Sequence, residues 1–253
     1  MISSGLVSVT FRRLAPAKIV ELAAQGGLDG IEWGGDIHVP PGDADRAVEV
    51  RKMTLQAGLR VAAYGSYYRA AESEGASFDA VLATARALGA PTIRVWSGIQ
   101  SSAQASCSYR QRVAEDLHRI AAKAAEQHIT VSCEFHDNTL TDTAPAALEI
   151  LRLADHLNLR SYWQPRHGQP TETGLDELDQ LSPWLSNVHV FHWWPTSADR
   201  LPLDAGVERW RRFLSRIKAM PGDRHALLEF TCNDDSGIFL RDAATLKKML
   251  HDE

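Results

Sequence analysis

Cysteine is scarce. The chain has three, Cys107, Cys133 and Cys232, in 253 residues, and no CxxC pair. So sparse and odd a set excludes a disulfide framework and suits a reducing, cytoplasmic compartment. Long apolar runs are missing too. None approaches the ~18 residues of a membrane-spanning helix, so no membrane partner is expected. The first residues, Met1-Ile2-Ser3-Ser4-Gly5, carry no basic segment, and Arg12-Arg13 interrupt the next apolar stretch, so no secretory signal is read there. Basic charge is not in excess: 27 Lys and Arg against 32 Asp and Glu leave a net charge of -5. That balance disfavours a nucleic-acid partner. No Gly-rich turn follows the first apolar run, which ends Thr10-Phe11-Arg12-Arg13. This disfavours a doubly wound dinucleotide-binding sheet, and no phosphate cradle is read elsewhere.

What is present is one repeated pattern. A short apolar run leads into a polar loop and then an Ala/Leu-rich helical stretch. The runs cover residues 6–11, 30–33, 60–64, 92–95, 130–134, 160–164, 187–192 and 226–230. Most are continuous rather than alternating, as in strands buried on both faces. Helices are predicted over 16–24, 43–56, 78–88, 109–127, 143–157, 175–181, 207–220 and 242–250. Pro16 suits a first helical position, and Gly26, Gly58 and Gly89 suit helix stops. Strand–helix units without a linker predict an α/β fold: a single (β/α)8 TIM barrel domain over residues 1–253.

In such a barrel the chemistry sits at the C-terminal ends of the strands. The polar residues there are Glu32, Tyr64, Arg94, Trp96, Glu134, His136, Gln164, His167, His189, His192 and Glu229. Glu134 and Glu229 lie inside apolar runs, where a charge is costly unless paired or metal-bound. Either they pair with Arg94 or Arg60, or they bind a cation. Two carboxylates, an imidazole and an amide would suit one divalent ion: Mn, Co, Mg or Zn. His189 and His192 are three apart, so strand alternation turns only one of them inward. Glu32 either binds substrate or pairs with Arg94. His136 either orients a ligand or caps a loop. Trp33, Tyr64, Tyr67, Trp96, Trp163 and Trp193 either pack the barrel or wall a pocket.

The ordered motifs Gly30-Ile31-Glu32-Trp33, Ile93-Arg94-Val95-Trp96, Cys133-Glu134-Phe135-His136, Val188-His189-Val190 and Leu228-Glu229-Phe230 carry a likeness over nearly the whole chain. It resembles the sugar-phosphate isomerase/epimerase family of xylose-isomerase-like (AP-endonuclease-2-type) TIM barrels. That resemblance implies one divalent metal held by Glu134, His189 and Glu229. Gln164, in Gln164-Pro165-Arg166-His167, stands where the family has Asp. An amide oxygen can ligate but brings no charge, so weaker metal retention and a stronger Lewis acid are expected. Asp199-Arg200-Leu201-Pro202 is similar to a family turn whose Arg meets substrate oxygens, making Arg200 and His167 substrate candidates.

The implied activity is metal-dependent isomerisation or epimerisation of a small carbohydrate through an enediolate. Glu134 and Glu229 would move the protons. Glu32, Tyr64, Arg94, Trp96, His136, His167, His192 and Arg200 are the substrate contacts. Gln164 motivates an alternative, a lyase, dehydratase or hydrolase on an oxidised sugar. A non-catalytic sugar-binding barrel is a third reading. A DNA-repair nuclease would need more His and Asp ligands than the chain supplies. Exposed outer helices leave room for a homodimer.

Overall fold

The computed structural model describes residues 1–72 and 74–251. Eight parallel strands close into a barrel. They are β1 (Ile2–Val7), β2 (Gly30–Gly34), β3 (Arg60–Arg69), β4 (Thr92–Trp96), β5 (Thr130–Cys133), β6 (Leu159–Trp163), β7 (Leu185–Val190) and, after a two-stranded hairpin of β8 (His192–Trp193) and β9 (Arg200–Leu201), β10 (Arg224–Leu228). β1 pairs with both β2 and β10, which closes the ring. The helices form the outer layer: α1 (Pro16–Gln25), α2 (Ala44–Gln56), α3 (Phe78–Leu88), α4 (Cys107–Ala125), α5 (Ala144–Ala154), α6 (Thr171–Leu181), α7 (Val207–Lys218) and α8 (Ser236–His251). No helix among the described residues is long and apolar enough to cross a membrane.

Local chemistry explains most boundaries. Side-chain oxygens of Asp43, Ser77, Ser106 and Thr143 cap α2, α3, α4 and α5. Gly89 ends α3 at φ 73°, a left-handed conformation that glycine adopts without a Cβ clash. The first strand departs from expectation. It runs over Ile2–Val7, and residues 8–11 form a 3-10 turn. Within the strand, Gly5 leaves room for its neighbours: a Cβ there would lie 2.5 Å from Leu227 Cδ2 and 2.9 Å from the Gly30 carbonyl. α6 and α8 also start earlier than expected, at Thr171 and Ser236. Gly174 lies against Phe213, and Phe239 packs edge-on to Phe11 at 5.4 Å. Tertiary packing holds these polar, Gly-containing first turns helical.

The core has two parts. The larger lies between strands and helices and holds Trp33, Tyr64, Trp163 and Trp210. The smaller fills the barrel interior with Val7, Val9, Ala62, Ala63, Tyr162 and Leu227, flanked by Tyr67 and Phe230. Above that apolar plug, at the C-terminal ends of the strands, the interior turns polar.

Candidate metal centre

Strand alternation decides which side chains reach the mouth. Glu32, Arg94, Tyr162, Asn187 and His189 are all nearly or fully inaccessible to water. Glu134 and Glu229 follow directly after β5 and β10 and are buried as well. Their backbones continue the barrel's ladder: the Glu134 N–H donates to the Val95 carbonyl at 2.9 Å and the Glu229 N–H to Val190 at 3.0 Å.

Arg94 joins the carboxylates. Its Nε donates to Glu32 Oε1 at 2.6 Å and its Nη1 to Glu134 Oε2. Trp96 Nε1 donates to the same Glu134 oxygen at 2.5 Å. Glu32 Oε2 accepts the Tyr162 hydroxyl at 2.9 Å, and Asn187 Nδ2 donates to that hydroxyl at 2.9 Å. Burial is the largest single influence and opposes the charge on Glu32, but Arg94 and His189 together overcome it and hold the carboxyl down at about 2. Thus one glutamate serves to neutralise the buried arginine. The paired reading of Glu134 with Arg94 holds as well, for one of its two oxygens. Arg60 is solvent-exposed and plays no part.

The other Glu134 oxygen faces a second cluster. His189 Nδ1 lies 3.8 Å from Glu134 Oε1, 3.3 Å from Glu229 Oε2 and 2.9 Å from Gln164 Oε1. One ligand atom each from Glu134, His189 and Glu229 fall within 4.8 Å of one another. Burial disfavours the charged imidazole, yet Glu229 and Glu32 raise His189 to about 9. Burial likewise works against the Glu229 carboxylate, and His189 lowers its pKa below the ordinary range. Oxygens of Glu134, Gln164 and Glu229 converge on one imidazole nitrogen, whose proton an ion would replace. That donor set fits a divalent cation. Glu32 and Arg94 cancel each other, which leaves the charges of Glu134 and Glu229 in the cluster.

The remaining candidates divide. His136 stacks on Trp96 with ring centroids 4.7 Å apart and donates Nδ1–H to the Asp137 carbonyl at 2.7 Å. His167 stacks on Trp193 at 5.1 Å. Arg200 lies over the rings of Trp193 and Phe230 at 4.6 and 5.0 Å. These residues rim the mouth. Tyr64 does not join them: its hydroxyl donates to the Val39 carbonyl at 2.8 Å, on the helix side of β3. His192 also turns away. Its ring packs on Gly206 and lines a cavity of about 510 Å³ with Trp194 and Arg209. Of the aromatic candidates, Tyr67, Trp96 and Trp193 stand at the mouth, whereas Trp33 donates to Thr54 and Trp163 to Glu177 behind the strands. Tyr162 and Asn187 were not anticipated. Each lies two residues before an identified inward position, Gln164 and His189, and alternation alone would have found them.

Barrel and acceptor cluster together define a TIM barrel with a candidate divalent-cation centre at its C-terminal mouth. The chain belongs to the xylose isomerase-like TIM barrel family, whose profile matches residues 20–249. A stretch of 100 residues is 37% identical to a 3-dehydroshikimate dehydratase of Bacillus anthracis, covering 38% of this chain and 35% of that protein. The match therefore spans about a third of the relative's length. Among solved structures, the probable 3-DHS dehydratase involved in petrobactin synthesis from Bacillus anthracis superposes with a TM-score of 0.81 at 21% identity, over 97% of this chain and 99% of that one. A D-allulose 3-epimerase from Methylomonas sp. superposes with a TM-score of 0.73 at 14% identity, over 98% of each chain. At these identities the superpositions speak to the fold.

Proposed function

We propose that this chain is a divalent-metal-dependent enzyme that removes a proton from the carbon next to a carbonyl in a small polyhydroxylated substrate, and that it eliminates water from that substrate. The convergence of Glu134, Gln164, His189 and Glu229 on one point carries the reading. The choice of elimination rests on the stretch that is 37% identical to a dehydratase.

Glu134, Gln164, His189 and Glu229 would hold the ion. When bound, it supplies Lewis acidity for the charge that develops on the carbonyl oxygen. Proton abstraction is assigned to Glu229, because Arg94 and Trp96 already occupy one oxygen of Glu134 with their donated hydrogen bonds. Glu229 takes the proton. The same carboxyl then delivers it to the departing hydroxyl, so water leaves and the carboxylate is restored. Tyr67, Trp96 and Trp193 cover the mouth and exclude bulk water. Residues 1–253 act as one catalytic domain, and the sparse free cysteines support a cytoplasmic setting.

A second reading keeps the same proton abstraction and returns the proton to carbon, giving an isomerase or epimerase. The superposition on a sugar epimerase favours it. Product analysis separates the two. Metal-loaded protein is incubated with 3-dehydroshikimate and, separately, with ketoses in deuterated water. The expected outcome is an aromatic dehydration product from the first, followed by ultraviolet absorbance. Glu229→Gln is expected to slow it at least about a hundredfold. Deuterium incorporation into a ketose without elimination from the ring acid would instead select the epimerase reading. Neither product, in protein shown to carry metal, would refute both.

A further inference from the structure

A cavity of about 760 Å³ opens where the loops after β1, β7 and β10 meet. Its lining includes Arg12, Arg13 and Arg200 against one lining carboxylate, Asp234, with Asp36 pairing Arg12 from behind, so three cations face two carboxylates. That local excess of positive charge stands out in a chain of net charge -5. Arg13 is exposed, and Arg200 meets Asp234 only at 3.5 Å. Arg12 pairs with Asp36 and also donates Nη2–H to the Tyr67 hydroxyl at 2.9 Å. The Tyr67 ring in turn lies 5.3 Å from the Arg94 guanidinium carbon, and Arg94 holds Glu134. The cavity is therefore one side-chain layer from the carboxylate cluster. On its other wall is Phe230, which follows Glu229 in the chain and whose N–H donates to Thr10 Oγ1 at 3.0 Å.

We propose that this cavity is an anion subsite, and that the substrate carries a carboxylate or phosphate group held there by Arg200 and Arg13 while its carbonyl end reaches Glu229. The assignment rests on the reading of the mouth as the reaction site. Guanidiniums present paired N–H donors to the oxygens of either anion. The loops after the last two barrel strands are also where barrels of this architecture most often place an anionic group. Neutral sugars have no use for such a cluster, so the subsite narrows the substrate to acids or phosphate esters.

Binding tests this without turnover. The probes are shikimate, a polyhydroxylated ring acid that lacks the ketone, its uncharged methyl ester, and inorganic phosphate. Each is titrated calorimetrically into metal-loaded wild type, R13Q, R200Q and the double variant. Shikimate is expected to bind about tenfold or more tightly than its ester, with the preference falling stepwise in the variants and weakening with added salt. Arginine-dependent binding of phosphate, without a shikimate preference, supports the subsite and assigns it to a phosphate ester. Equal binding of acid and ester with no phosphate binding overturns the proposal, as does an anion preference that survives in the double variant. Because Arg13 is exposed, R13Q tests charge without disturbing the core. If the anion preference is present but the wild type yields no product or exchange from any substrate, the subsite stands and the proposed reaction fails. Turnover without an anion preference has the opposite meaning.

Discussion

Arg94 can lie inside the barrel because residue 65 has no side chain. A Cβ on Gly65 would be 2.7 Å from Arg94 Nη2 and 2.9 Å from Glu32 Oε1. Neither Gly65 nor its role could be read from the sequence, where it passes for part of a loop. Glu32, Arg94 and Glu134 were legible as candidates, because charged residues in apolar strands demand a reason. Which of them pair was not, since the contacts join residues 62 and 40 positions apart in the chain. Glu32→Gln removes one partner of a buried, bonded charge. The expected cost is about 3 kcal/mol or more. It is measured as the shift of the urea unfolding midpoint at neutral pH, and an unchanged midpoint would mean that Glu32 does not neutralise Arg94. Tyr64 and His192 show the limit of reading single residues. Tyr64 falls within β3, whose pleat turns it to the helix side, and His192 lies in the β8–β9 hairpin beyond β7, outside the barrel ladder.

Helix starts that depend on a cap were legible to within a residue or two. Ser77 opens α3, and its hydroxyl accepts the Ala80 N–H at 3.3 Å. Ser77→Ala is expected to cost about 1 kcal/mol, read from thermal or urea unfolding. Helix starts that depend on packing were missed, as with α6 and α8. Asp242 of α8 shows what such packing does. It is 4% exposed, and its carboxylate accepts the Leu203 N–H at 2.9 Å. Burial pushes its pKa up to about 6, against that hydrogen bond. Between 3.8 and about 6 the folded chain therefore binds more protons than the unfolded chain. Its contribution favours folding below this window and is lost as pH rises through it. Asp242→Asn keeps an acceptor for Leu203 and removes the charge. The variant is expected to be more stable than wild type near neutral pH, with no gain below pH 3.8. A gain independent of pH would contradict this account.

At the scale of the whole molecule, the barrel brings Glu134, Gln164, His189 and Glu229 from the ends of β5, β6, β7 and β10 together. A cation bound there stabilises only the closed, folded ring. At a hundredfold excess over its Kd an ion adds about 2.7 kcal/mol, which for a chain this size raises Tm by about 5–10 °C. Scanning calorimetry before and after chelation and reloading measures it. Glu229→Gln is expected to lose most of the rise, while Ser77→Ala, whose hydroxyl bonds only its own helix start, keeps it. A rise of equal size in Glu229→Gln would move the ion elsewhere. The alternation of apolar runs and helices, written in the chain itself, determined the barrel, because burial on both faces of a parallel sheet leaves a local signature every few residues. The placement of Glu134, His189 and Glu229 at the ends of separate apolar runs was equally local. Tertiary structure alone decided that Glu32 and Arg94 pair inside the barrel and that Arg12, Arg13 and Arg200 share one cavity. Each of these depends on which strands become neighbours when the ring closes and on which way the pleat turns a side chain, and neither is encoded within a single segment.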